Sequence, residues 1–124
     1  MPGRFATWVY RWATVYGVVV LAPLLFVEGQ IARTDGHPLS HPEYYYGFLG
    51  VALVFQFVFL LISRDPVRLR PVMIATIFEK LVWGVTVALL LLQGRAHGPV
   101  VVFAALDVLW APLFGMAYSR TPNA

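Results

Sequence analysis

The chain has 124 residues, of which 60% are hydrophobic and only 12% charged, and its mean hydropathy is +0.74. An ordinary soluble domain needs about 25% charged residues to hydrate its surface, so this composition excludes a water-facing shell. The net charge of +3 does not point to nucleic acid, because the basic residues sit at the ends of apolar blocks rather than on one dense face, and the lack of cysteine excludes disulfides, thiolate catalysis, iron–sulfur ligation and cysteine-bound zinc.

Four apolar blocks are separated by short polar connections. A hydrocarbon core of about 30 Å takes roughly 20 apolar helical residues to cross, and a helix of that length fits each block. The expected fold is all-α, an integral membrane four-helix antiparallel bundle, one domain over residues 1–124 with spans at about 5–27, 43–63, 71–92 and 99–118. A soluble bundle is charged on its outer faces, whereas Tyr44 to Ser63 carries no charge on any face.

The first span, 5–27, follows Arg4, includes Arg11, and runs on without a small-residue cleavage site, so it is expected to be retained as a spanning helix, with the mature chain beginning near Met1. Pro23 leaves the Val19 carbonyl without its donor and predicts a kink. Residues 28–42, rich in Gly, Pro and polar groups, are expected to be a loop outside the hydrocarbon.

The second span opens at His41-Pro42-Glu43, and Tyr44, Tyr45 and Tyr46 form an interfacial aromatic band. The short basic connection from Arg64 to Arg70 makes the second and third spans antiparallel neighbours. The third span ends before Gly94 and Gly98, both suited to a left-handed stop. The fourth contains Pro112, and the tail from Ser119 to Ala124 is expected to fray. Arg4, Arg11, Arg64, Arg68, Arg70 and Arg120 fall on one side and only Arg33 and Arg95 on the other. Short cytoplasmic segments are enriched in Lys and Arg, so both termini are expected to be cytoplasmic, in a cell inner membrane.

A charge near the bilayer centre costs about 2.5 to 3.5 kcal/mol on insertion scales, so such groups turn inward and find partners. At about 1.5 Å per residue, Glu79 and Lys80 lie roughly 12 to 14 Å inside the third span. Gln56 reaches a similar depth, and Asp107 is somewhat nearer the outer side. Helical spacing puts Thr76, Glu79 and Trp83 on one stripe and Thr76, Lys80 and Gly84 on an overlapping one, with Asp107 and Trp110 together on the fourth helix and Thr7, Arg11 and Thr14 on the first.

These groups can serve two ends. Lys80 paired with Asp107, and Glu79 with Arg11 or Gln56, would fix helix registry. Alternatively they line a polar pocket at mid-depth whose carboxylate exchanges a proton, with Trp83 and Trp110 holding a cation or a planar apolar ligand. Arg11 taken alone is a snorkelling side chain. On the outer side Glu28, His37, His41, Glu43 and His97 have no compact ligand spacing, so no metal and no cofactor is expected. Gly17, Gly47, Gly50, Gly84 and Gly115 allow close helix approach and leave monomer or dimer open.

Tyr46-Gly47-Phe48-Leu49-Gly50, the turn Arg64-Asp65-Pro66-Val67-Arg68 and the polar third helix resemble small bacterial four-span proteins of the DoxX-like kind. That resemblance implies an inner-membrane bundle, sometimes associated with redox partners. Val54-Phe55-Gln56, with acidic groups in the bundle, is similar to the EXPERA group of sterol isomerase-like and ligand-binding membrane proteins, which implies acids around an apolar ligand pocket. The acid of the first helix, Glu28, here lies at its outer end.

The function expected from these residues is that of a non-enzymatic integral membrane protein, an accessory subunit or a binder of a lipid-like apolar ligand. Gln56, Glu79, Lys80, Trp83, Asp107 and Trp110 are its candidate ligand-binding or buried polar layer. The expected partners are membrane lipids, a lipid-like small molecule, and a membrane protein or a second copy of the chain; nucleic acid is not one of them. Two alternatives stay open. An isomerase-like membrane enzyme would use Glu79 or Asp107 as general acid or base and would need an enclosed cavity reaching both carboxylates; a proton or ion path is the other.

Overall fold

The computed structural model describes residues 2–124. In chain order they form α1 (Arg4–Leu21), a 3₁₀ segment (Ala22–Phe26), α2 (Glu28–Asp35), α3 (Pro42–Arg64), α4 (Arg70–Leu92) and α5 (Pro99–Arg120). The fold is all-helical, with no strand among the described residues. Four helical stretches, Arg4–Phe26, α3, α4 and α5, are long and apolar enough to cross a membrane. The protein is therefore a multi-pass, four-span helical bundle with one additional short helix.

Local chemistry explains where these helices begin. α3, α4 and α5 each carry proline in the first turn, at Pro42, Pro71 and Pro99, where the missing N–H would have had no intrahelical acceptor. The α4–α5 turn contains Gly94 and Gly98 at φ 70° and 76°, a left-handed conformation that a Cβ would strain.

Three segments depart from the sequence expectation. Pro23 does not kink a continuous helix: α1 stops at Leu21 and the chain tightens into the 3₁₀ segment, with Pro23 near its start. The proline ring cannot follow the α-helical carbonyl four residues back, and a tighter turn removes that conflict. Tyr45 of α3 donates its hydroxyl proton to the Leu24 carbonyl, supplying a donor to this irregular backbone.

Residues 28–42 are not a loop throughout, since Glu28–Asp35 forms α2. Glu28 in its first turn and Arg33 in its last complement the helix dipole, Tyr46 donates to Glu28 Oε1 at 2.8 Å, and Gly36 at φ 82° ends it. Nor is the C-terminal tail left loose. Ser119 and Arg120 stay helical, the buried Thr121 donates to the Ala117 carbonyl at 2.6 Å, and Arg70 grips the tail through the Tyr118 carbonyl at 3.1 Å and Asn123 Oδ1 at 2.7 Å.

The main core lies in the half of the bundle nearer the arginine-rich end. Tyr10 of α1 stacks on Phe114 of α5 with ring centres 4.4 Å apart, and Phe59 of α3 tilts against both. Ala6, Ala13 and Ala117 let the helices close around these rings. Thr76 donates to the Met73 carbonyl at 2.7 Å, which leaves its oxygen to accept from the Tyr10 hydroxyl at 2.7 Å. The polar atoms of this core are thereby satisfied without water.

Farther from that end the helices pair more selectively. α1 lies tightly along α3, where Gly17 meets Gln56, and α4 lies tightly along α5, where Gly84 meets Val108. A methyl group at either glycine would collide with the facing side chain. α3 and α4, joined by the short basic turn, touch only lightly. The outward surface is apolar: Val51, Phe57, Phe78, Val82 and Leu109 are each exposed over more than half their area. Such a surface suits acyl chains as its solvent.

Candidate functional site

The inward face of α4 is formed by Met73, Thr76, Lys80, Gly84 and Val87, all buried. Their spacing of three and four residues is one helical stripe, so the same periodicity that seals the core carries Lys80 into it. Its position is about 15 Å along α4 from Arg70, and the residue is 4% exposed.

The ammonium group stands 3.4 Å from Asp107 Oδ1 on α5, 3.8 Å from Glu79 Oε2 on its own helix and 5.3 Å from the centre of the Phe59 ring on α3. Lys80 thus ties three helices together. A buried ammonium has its desolvation offset only by close opposite charge, and two carboxylates supply that here. Oε2 of Glu79 has no hydrogen-bond partner, because its distance to Lys80 is that of an ion pair and exceeds hydrogen-bond length.

The other sequence candidates separate from this cluster. Gln56 is buried, but its amide nitrogen donates to the Ala52 carbonyl of its own helix at 3.0 Å and its carbonyl oxygen is turned to Gly17 without a partner. Glu79 is therefore not paired with Gln56. It is not paired with Arg11 either: that residue is exposed, with its guanidinium 5.4 Å from the centre of the Trp8 ring. Depth along a helix places a residue in a layer, whereas the direction it faces decides the partner, and Gln56 and Arg11 face elsewhere. Trp110 packs between Tyr16 at 5.7 Å and Phe114 at 6.0 Å. It belongs to the α1–α5 contact.

Trp83 joins Glu79 on a different surface. The light contact between α3 and α4 leaves a cleft of about 530 Å³ whose lining includes the rings of Phe48, Phe55, Phe78 and Trp83. Trp83 and Phe48 close one wall, with ring centres 4.9 Å apart. Glu79 and Thr86 are the polar groups of the lining, and Asp107 is not part of it. The exposed flanks at Val51, Phe78 and Val82 open the cleft sideways, toward the lipid-facing surface. This cleft does not join the two carboxylates.

Tyr16 is a polar group that the sequence reading passed over. It is partly buried on α1, its ring rests on Trp110, and its hydroxyl has no partner. Tyr16 lies about 18 Å along α1 from Arg4, too deep for an interfacial band such as that of Tyr44, Tyr45 and Tyr46. Its depth was the available signal. Among the described residues no three His, Asp or Glu side chains converge on a possible metal position. On the outer side His41 Nδ1 lies 3.2 Å from Glu43 Oε1, with both side chains exposed.

No family model matches the chain, and neither the curated proteins nor the solved structures contain a match to it.

Proposed function

We propose that this is a non-enzymatic protein of a cell inner membrane, with both termini cytoplasmic, that binds a lipid-like apolar molecule in the cleft between α3 and α4. The observation that carries this proposal is the coincidence of an aromatic-lined, laterally open cleft of about 530 Å³ with a single carboxylate on its wall. Binding sites for small apolar ligands combine such walls with a few fixed polar groups that set orientation. Glu79 is the orienting group, and the Lys80–Asp107 pair behind it holds the carboxylate in place. The orientation follows from the crowding of six of the nine basic residues, all arginines, at one end of the bundle.

Binding without catalysis is favoured because the cleft takes in Glu79 and leaves Asp107 engaged with Lys80 outside it. The EXPERA-like resemblance, which implies acids around an apolar pocket, agrees with this use of Glu79. Detergent-solubilised protein titrated with a sterol, a long-chain alcohol and a long-chain amine should give a saturable rise in Tm with at least one of them. Ala75→Trp, which fills the cleft, should abolish the rise, and Glu79→Gln should weaken it at least fivefold. Shifts that never saturate, or that persist unchanged in Ala75→Trp, would contradict the proposal.

A further inference from the structure

A second cavity, of about 440 Å³, lies at the arginine-rich end between the start of α1 and the turn that joins α3 to α4. Its lining includes Arg4, Thr7, Trp8, Arg11, Arg64 and Asp65. Arg4, Thr7, Trp8 and Arg11 recur at intervals of three and four, which makes them one face of α1, and Arg64 closes the opposite wall from the end of α3.

Three arginines thus border one space that has a single acidic residue, Asp65, in its lining. Asp65 does not neutralise them. Among the described residues no arginine side-chain nitrogen lies within 4.0 Å of its carboxylate, and its Oδ1 instead accepts the Arg68 backbone amide at 3.4 Å. The first turn of α1 has no acidic residue and no side-chain cap, so the unpaired amides at that helix terminus add positive potential to the same region. Of the other arginines of this end, Arg70 is bound to the C-terminal tail, Arg120 lies 4.5 Å from the centre of the Phe5 ring much as Arg11 lies 5.4 Å from that of Trp8, and Arg68 stands outside the cavity lining. The cavity therefore holds an unmet demand for an anion.

Its position identifies the anion. Arg4 and Arg64 are the terminal residues of their spans, Arg11 lies about 10 Å farther along α1, and Trp8 and Trp12 are 47% and 56% exposed beside it. Tryptophan beside arginine at a span end marks the headgroup level of a bilayer. Basic pockets between spanning helices on the cytoplasmic side suit anionic headgroups. Every basic residue here except Lys80 is arginine, and arginine matches phosphate oxygens with two parallel hydrogen bonds where lysine offers a point charge.

We propose that this cavity binds the phosphate headgroup of an anionic phospholipid, with Arg4, Arg11 and Arg64 on the phosphate, the Thr7 hydroxyl as a further donor, and the acyl chains against the exposed apolar face of α1. The site is separate from the α3–α4 cleft and does not depend on what that cleft binds.

The test uses the full chain in a neutral detergent, titrated with dioleoylphosphatidylglycerol and followed by native mass spectrometry and Tm. Parallel titrations use dioleoylphosphatidylcholine and inorganic phosphate. The proposal expects one saturable phosphatidylglycerol adduct, at least tenfold weaker in the Arg4→Gln/Arg64→Gln variant and changed less than twofold in Arg68→Gln, which removes a charge from the same end outside the cavity. Should the double variant fail to fold, Thr7→Val is expected to weaken the adduct about threefold. Equal binding of the two lipids, or an equal loss in Arg68→Gln, would overturn the proposal in favour of diffuse electrostatics. Displacement of the lipid by millimolar inorganic phosphate would overturn the lipid assignment in favour of a soluble anion.

Discussion

Lys80 carries an unusual share of the interior charge, since one ammonium group faces two carboxylates on two helices. Removing one partner of a buried ionic group leaves uncompensated charge in a poor solvent and costs about 3 to 5 kcal/mol. Lys80→Met, which preserves most of the side-chain volume, is therefore expected to destabilise the bundle by roughly 3 kcal/mol or more. Reversible unfolding in mixed micelles measures this, and a loss below about 0.5 kcal/mol would show that Glu79 and Asp107 find other partners. The pairing of Lys80 with Asp107 was legible in the sequence, because both positions lie deep in apolar blocks and a lysine stem spans adjoining helices. The partner of Glu79 was not. Counting along a helix yields depth, while facing direction depends on how the helices rotate in the bundle, and that is set by contacts such as Gly17 against Gln56.

Among the elements, the long spans were readable because run length alone distinguishes a crossing helix from a loop. α2 was not, since Gly29, Gly36 and the polar residues around them compose a segment that also suits a turn. Its helix depends on charges placed at the correct ends and on the tie from Tyr46. The 3₁₀ segment was half legible: Pro23 announced a break, but whether the chain bends or tightens depends on tertiary partners, and here Tyr45 donates to the Leu24 carbonyl within the tightened turn. The pairing of α4 with α5 rests on the absence of a side chain at Gly84, into whose space Val108 projects. Overpacking a closed interface typically costs about 1 to 3 kcal/mol. Gly84→Ala should lower stability by that amount, and Val108→Ala in the same chain should recover most of it. Purely additive losses would mean that the two helices do not approach at this point.

Across the whole molecule, charge is distributed in layers. Six arginines against one aspartate occupy one end, two arginines against three acids the other, and one lysine against two carboxylates the interior between them. The outer surface is apolar along the spans and so is most of the core, so the molecule differs from a soluble bundle chiefly in its exterior. The α3–α4 cleft was not visible in the sequence. It arises because the tight contacts pair α1 with α3 and α4 with α5, leaving the seam between the pairs partly unfilled. Both the ligand proposal and the headgroup proposal require that these spans lie in a bilayer with the arginine-rich end inside. The natural absence of cysteine permits a direct measurement of this, by single-cysteine labelling of intact cells and of opened membranes with a membrane-impermeant maleimide. Ser40→Cys and His97→Cys should react in intact cells, Arg68→Cys and Asn123→Cys only after the membrane is opened, and Val82→Cys in neither. Reaction of all four terminal and loop positions from one side, or ready labelling at Val82→Cys, would contradict the four-span account.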